Sequence, residues 1–183
     1  MNGTHDLPAG RGPAPHSPSV TDAVLTGRSG KSAENVIVLL QRWSDGRVLA
    51  VRRDASCAHA PGMLTAVGGY LGHDEFADQA TLRKADEEVG VRLSLPDLEF
   101  CQLVHYLAPD GQRRIGMAFT ARRWEGEPYN REPSHTGLFW VDPGNPPPDC
   151  HPYTRAVLQR FAAGALYTNI TAPVGEERSC LPS

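Results

Sequence analysis

The chain has 183 residues, 40% of them hydrophobic, and a formal charge of −3. That length suits one domain with a real core plus tails, and so nearly balanced a charge gives no electrostatic reason to expect nucleic acid or a membrane surface as a partner. No apolar run approaches the roughly 18 residues of a membrane span, and no signal-peptide pattern opens the chain. The four cysteines, Cys57, Cys101, Cys150 and Cys180, are scattered without a Cys-x-x-Cys pair, which points to reduced thiols and a cytoplasmic setting.

Residues 1–30 are rich in Gly, Pro, Ser and Ala and lack periodicity, so they read as a disordered tail. A folded domain is expected over 31–168, with a loose tail over 169–183. Val36 to Leu40 is a β-branched, apolar run of the kind found in buried strands. Ser44-Asp45-Gly46 signals a turn, and Arg47 to Val51 is expected to pair back as the second strand of a hairpin. Arg52 and Arg53 end that strand on opposite faces, so at most one of them can point into a site. Either is a candidate phosphate contact. Leu64 to Val67 forms a short strand that runs into the pair Gly68-Gly69, which permits a close backbone approach.

The stretch from Gly69 to Val91, GYLGHDEFADQATLRKADEEVGV, passes from a glycine loop into a helix that ends at Gly90. At about 3.6 residues per turn, Leu82, Ala85 and Val89 share an apolar stripe. Arg83, Lys84, Glu87 and Glu88 are expected on the opposite, charged side. Adjacent carboxylates repel unless a cation lies between them, and hard divalent ions with oxygen ligands are the obvious candidates.

This segment resembles the Nudix box, Gly-x5-Glu-x7-Arg-Glu-U-x-Glu-Glu-x-Gly-U, with U a bulky aliphatic residue. Gly69 takes the opening glycine, Glu75 the first glutamate, Arg83 the arginine, Glu87 and Glu88 the paired glutamates, Gly90 the closing glycine and Val91 the last aliphatic position. Two positions depart from the pattern: Lys84 stands where the family has glutamate, and Ala85 fills the first U.

The resemblance covers about residues 34 to 165 and implies an α/β Nudix fold, an α/β/α sandwich around a mixed sheet. It further implies hydrolysis of a nucleoside diphosphate linked to another group by a MutT-like Nudix hydrolase. In that reading Mg²⁺ or Mn²⁺ is held by Glu87, Glu88 and the Gly69 carbonyl, and the substrate is a small diphosphate. Arg83 and Glu75 fix the loop against the helix, with Arg83 also counted among the catalytic candidates. A homodimer is common among relatives.

Lys84 removes a carboxylate from the implied metal centre and leaves three readings open. The enzyme works with fewer metals, or the chain binds nucleotides with weak or no hydrolysis, or the fold serves other chemistry such as that of Nudix-type enzymes acting on isoprenoid diphosphates.

Beyond the box, Leu98 to Tyr106 and Ile115 to Trp124 read as strands of a hairpin joined by Pro109-Asp110-Gly111. Arg113 and Arg114 lead into the second strand and are further phosphate candidates. The segment Gly126-Glu127-Pro128 to Glu132-Pro133 resembles a loop of small Nudix hydrolases that brings a glutamate over the site, and Glu132 is the residue here placed to act as that ligand or base. Gly137 to Val141 is the last expected strand, and Tyr153 to Ala163 the second helix, with Val157, Leu158 and Phe161 as its apolar face. Tyr70, Tyr106, Phe119 and Trp140 are candidates to stack on a base.

Overall fold

The computed structural model describes residues 34–108 and 111–171, all within one compact unit, Lys31–Ser183. The N-terminal tail expected over 1–30, and residues 172–183 of the C-terminal one, lie outside the described residues.

Val36 to Leu40 are buried in every position of the first strand, β1 (Glu34–Leu40). A strand apolar on both faces must have a layer on each side and neighbours on each edge. It pairs parallel with β5 (Arg113–Ala121) and antiparallel with β3 (Leu64–Tyr70). The remaining strands, β2 (Val48–Arg53), β4 (Leu98–Leu107), β6 (His135–Val141) and β7 (Tyr167–Thr171), complete one mixed sheet in the order β6-β2-β3-β1-β5-β4-β7.

The expected hairpin between β1 and β2 does not form. Only one bridge, Gln41 to Val48, joins that end of the two segments, because β3 inserts between them. β3 serves both neighbours in turn: Ala66 pairs with Ala50 of β2, and Gly69 with Val36 of β1. The switch needs Gly68, at φ +151°, where an added Cβ would lie 2.2 Å from the Val36 carbonyl oxygen. The second hairpin, β4 with β5, forms as its sequence suggests.

Helices cover both faces. α1 (Ala77–Val89) packs Ala85 and Val89 on Val38, Leu49, Val51 and Val67, while α2 (Pro152–Ala162) packs Val157 and Leu158 on Ile37, Leu39, Ala50 and Leu64. Alternate residues of each central strand therefore serve opposite layers, an α/β/α sandwich.

β7 is a strand that the sequence reading omits. Its Tyr-Thr-Asn-Ile-Thr pairs parallel with β4, from Leu103↔Tyr167 to Leu107↔Thr171. Asn169 to Thr171 thus belong to the sheet, three residues past the expected boundary.

Candidate active site

α1 ends where Gly90 turns to the left-handed region at φ +68°, with its N–H donating to the Asp86 carbonyl. A Cβ there would lie 2.1 Å from the Tyr129 ring. Of the paired glutamates, Glu88 lies only about 60° around the helix from Ala85. It accordingly turns toward the sheet and is 7% exposed, which corrects its expected place on the charged side. The Gly68 N–H donates to its Oε2 at 3.4 Å. Burial pushes the Glu88 carboxyl up to about 7; the Lys84 charge, that N–H and Arg53 oppose the shift, and the Glu132 charge adds to it.

Glu87 sits further around the helix, at the solvent edge. Burial raises its pKa, but Lys84 and Arg83 outweigh burial and hold the carboxyl below its ordinary value. Arg83 presents a fork to Glu75, with Nε to Oε1 at 2.7 Å and Nη2 to Oε2 at 2.6 Å, while Nη1 donates to Glu87 Oε2 at 3.0 Å. Nη2 also reaches the Tyr70 carbonyl, and Glu75 accepts from the Gly72 N–H. The glycine loop and the helix are therefore clamped by one bidentate ion pair, which holds the Glu75 carboxyl down at about 2. Lys84 Nζ donates to the same Glu87 Oε2, at 3.0 Å. Its stem lies against Gly69, where an added Cβ would meet Cε at 2.9 Å.

The loop before β6 closes over the end of α1. Its Tyr129 and Arg131 N–H groups donate to the Val89 and Glu88 carbonyls, both at 3.1 Å, and the Arg131 side chain reaches Asp86. Carbonyls left over at a helix C-terminus thereby gain partners. This docking brings Glu132 into electrostatic range of Glu88 and Arg53. Ser134 N–H donates to Glu132 Oε1 at 3.2 Å and keeps the carboxyl below its usual value. Arg53 Nη1 lies 3.3 Å from both Ser134 Oγ and His135 Nε2. His135 is buried, and desolvation lowers its pKa to about 4, so the ring is neutral at pH 7. Neither Ser134 and His135 nor Tyr129 and Arg131 is singled out by any sequence pattern, because their partners on β2 and α1 lie some 40 or more positions away in the chain.

Two of the other arginine candidates, Arg52 and Arg114, lie elsewhere. Arg52 turns to the α2 side, pairs with Asp149 at 2.7 Å, donates to the Gly62 carbonyl and stacks over Phe139. Arg114 shares its strand face with Gly116, whose Cβ direction meets Tyr153 of α2, so it lies on the sheet face away from Glu87. Among the aromatic candidates, Tyr106 packs edge-on against Tyr153, Phe119 against Phe100, and Trp140 stacks on Trp124. His73 is an exposed loop residue beside Asp74.

Comparison with known proteins places this geometry. The family model of the NUDIX domain matches residues 31–161. The chain belongs to the NUDIX family. Escherichia coli 8-oxo-dGTP diphosphatase is 31% identical over 90 residues, 49% of this chain and 67% of that protein. The crystal structure of a MutT NUDIX hydrolase from Burkholderia pseudomallei is 25% identical with a TM-score of 0.58, covering 69% of this chain and 96% of that one. A MutT protein from Methanosarcina mazei has a TM-score of 0.61 at 19% identity, over 75% and 97% of the two chains. With this membership the chain is an enzyme of the pyrophosphohydrolase class.

NUDIX hydrolases generally use divalent metals, and the donors here fit one. Among the described residues, no three His, Cys, Asp or Glu side chains form a ready-made cage. Mg²⁺ does not require one, since it keeps several waters and binds through one or two carboxylates together with substrate phosphates. Glu88 is a desolvated carboxyl with no ion pair among the described residues, and its burial can be relieved by a proton or by a cation such as Mg²⁺.

Proposed function

We propose that this NUDIX enzyme is a divalent-metal-dependent hydrolase of a nucleoside diphosphate linked to another group, or of a related organic pyrophosphate. The reading rests on Glu88, a nearly buried carboxylate beside Glu87 and the glycine loop. Glu87, Glu88 and the Gly69 carbonyl would hold Mg²⁺ or Mn²⁺. The bound ion supplies charge neutralisation on the phosphate oxygens and a more acidic water.

The chain's own groups do the rest. Arg83 and Glu75 fix the loop that faces the substrate, a positioning role supported by their two short hydrogen bonds. Glu132 stays ionised beside the Ser134 N–H and orients the attacking water as a hydrogen-bond acceptor. Arg53 offers its charge to a phosphate oxygen; its buried Nε has no partner among the described residues. Arg52 and Arg114, on the opposite face, are left with at most a role in binding the remote part of the substrate. Lys84 stands at the box position of a glutamate and alters the charge of the centre.

The relative that acts on 8-oxo-dGTP makes an oxidised nucleoside triphosphate the first substrate to try. A cytoplasmic setting without nucleic-acid or membrane partners, and a homodimer, complete the proposal. No helix among the described residues is long and apolar enough to cross a membrane.

A phosphate-release screen with Mg²⁺ and Mn²⁺ tests it, over 8-oxo-dGTP, other nucleoside triphosphates, dinucleoside polyphosphates, nucleotide sugars and isoprenoid diphosphates. Metal-dependent turnover by the wild type that falls in Glu87→Gln is the expected result. Unchanged turnover in Glu87→Gln would sink the metal assignment. Turnover in Lys84→Glu alone would make the natural chain a binding protein.

A further inference from the structure

Lysine side chains normally extend into water, yet that of Lys84 is only 22% exposed. Its stem lies across Gly69, with Nζ 3.4 Å from where a Cβ would stand, and its ammonium is anchored on Glu87 Oε2 at 3.0 Å. The same charge acts on Glu75 and on Glu88. Lys84 therefore sits between the helix and the glycine loop, among the carboxylates assigned to the metal. One of its three N–H donors points at Glu87, which leaves two for another anion.

The local charge supports a cationic role. Four carboxylates, Glu75, Glu87, Glu88 and Glu132, face three cations, Arg53, Arg83 and Lys84. With all of them ionised, a single negative charge remains. One divalent ion turns it into a single positive charge, suited to an anionic substrate. Two such ions would leave a net charge of three positive, the Lys84 ammonium included.

The geometry points to Lys84 as the resident cation of this site, standing where a second divalent ion would bind, so that the chain takes up one divalent ion and offers its ammonium to the substrate's diphosphate. This deepens the metal-dependent reading above and rests on it.

Mn²⁺ titration of the full-length, metal-free chain tests the inference, with free Mn²⁺ followed by electron paramagnetic resonance. Wild type, Lys84→Gln, Lys84→Glu and Glu88→Gln are compared, each checked for folding by circular dichroism. The expected result is one bound ion in the wild type, a second in Lys84→Glu, and loss of binding in Glu88→Gln. Equal counts in wild type and Lys84→Glu, or two ions in the wild type, overturn the role given to Lys84. A wild type that binds no Mn²⁺, or whose binding survives Glu88→Gln, overturns the metal site itself. Calorimetric titration of the Mn²⁺-loaded chain with inorganic pyrophosphate gives an arm that does not depend on Lys84→Glu folding. There Lys84→Gln is expected to bind about tenfold more weakly than the wild type, the loss of one charge-assisted hydrogen bond. Equal affinities overturn the contact to diphosphate.

Discussion

Arg131 Nη1 lies 2.6 Å from Asp86 Oδ1 and 3.2 Å from the Asp86 carbonyl oxygen, so the residue before Glu132 is fastened to the last turn of α1. Both side chains are about half exposed, and an exposed pair of this kind contributes only about 0–1 kcal/mol to stability. Its larger effect is on where Glu132 stands. Arg131→Ala is expected to lower kcat on the order of tenfold through misplacement of that carboxylate, with KM and the thermal midpoint nearly unchanged. Steady-state kinetics beside a thermal melt separates the two effects. A melt that drops while kcat holds would mean that the pair merely stabilises the fold.

Gly90 joins the same two elements from the other side. Its left-handed backbone costs a residue with a Cβ about 1 kcal/mol, and that Cβ would run into the Tyr129 ring. Gly90→Ala is therefore expected to destabilise by about 2–4 kcal/mol. Adding Tyr129→Ala removes the collision, so the double variant should be more stable than the sum of the single changes implies. Additive losses in a denaturant-unfolding cycle would show that the ring is not what Gly90 accommodates.

The box could be read residue by residue because its spacing encodes local geometry: a glycine loop, a helix one face wide and a glycine stop. The clamp between Arg83 and Glu75 was an implication of the resemblance to the Nudix box and not of the spacing alone. The burial of Glu88 followed from neither, since an apolar stripe drawn through Leu82, Ala85 and Val89 hides how far Glu88 turns toward Gly68. Strand pairing was less legible still. A two-sided apolar run such as Val36 to Leu40 says that β1 is central but does not name its neighbours, and the nearest strand in sequence was the wrong partner. β7 was missed because an edge strand buries little, so its apolar signal is weak. Arg53 and Arg52 were separable in principle by alternation. Which of them faced α1 depended on the packing of Val51 and Ala50 on opposite layers.

His135 and Glu75 each make acid weaken the fold, in different windows, while the raised carboxyl of Glu88 works the other way between about pH 7 and 4.5. His135 has a folded pKa of about 4 against an ordinary 6.5, because burial disfavours its cation. The unfolded chain binds that proton first, so this stability is complete above pH 6.5 and is lost as pH falls toward 4. Glu75, held at about 2 by the Arg83 fork, contributes stability above its ordinary pKa of 4.5 that is lost as pH falls from there toward 2. Each group adds a slope of up to about 1.4 kcal/mol per pH unit within its own window. Urea unfolding across pH 3–8 should show a shallower slope between 6.5 and 4 for His135→Gln. Glu75→Gln should flatten the lower window only. An unaltered slope in either variant would remove that residue from the linkage.

Glu88 sets stability against function. In metal-free protein its carboxylate is nearly buried with one long hydrogen bond and no cationic partner among the described residues, and an uncompensated charge of this kind is costly to bury. Glutamine keeps the shape and removes the charge. In EDTA at pH 8, Glu88→Gln is expected to be more stable than the wild type by about 1–3 kcal/mol. Adding Mg²⁺ should reverse the order, because an ion that binds only the folded wild type stabilises it by mass action, while the variant gains nothing. Turnover should fall by about a hundredfold or more with the loss of a ligand to the ion that would neutralise the reacting phosphate. Chemical denaturation with and without Mg²⁺ measures both halves. If Glu88→Gln is the less stable form in EDTA, then Lys84 and the Gly68 N–H already compensate the buried charge, and the site does not require a divalent ion to be at rest.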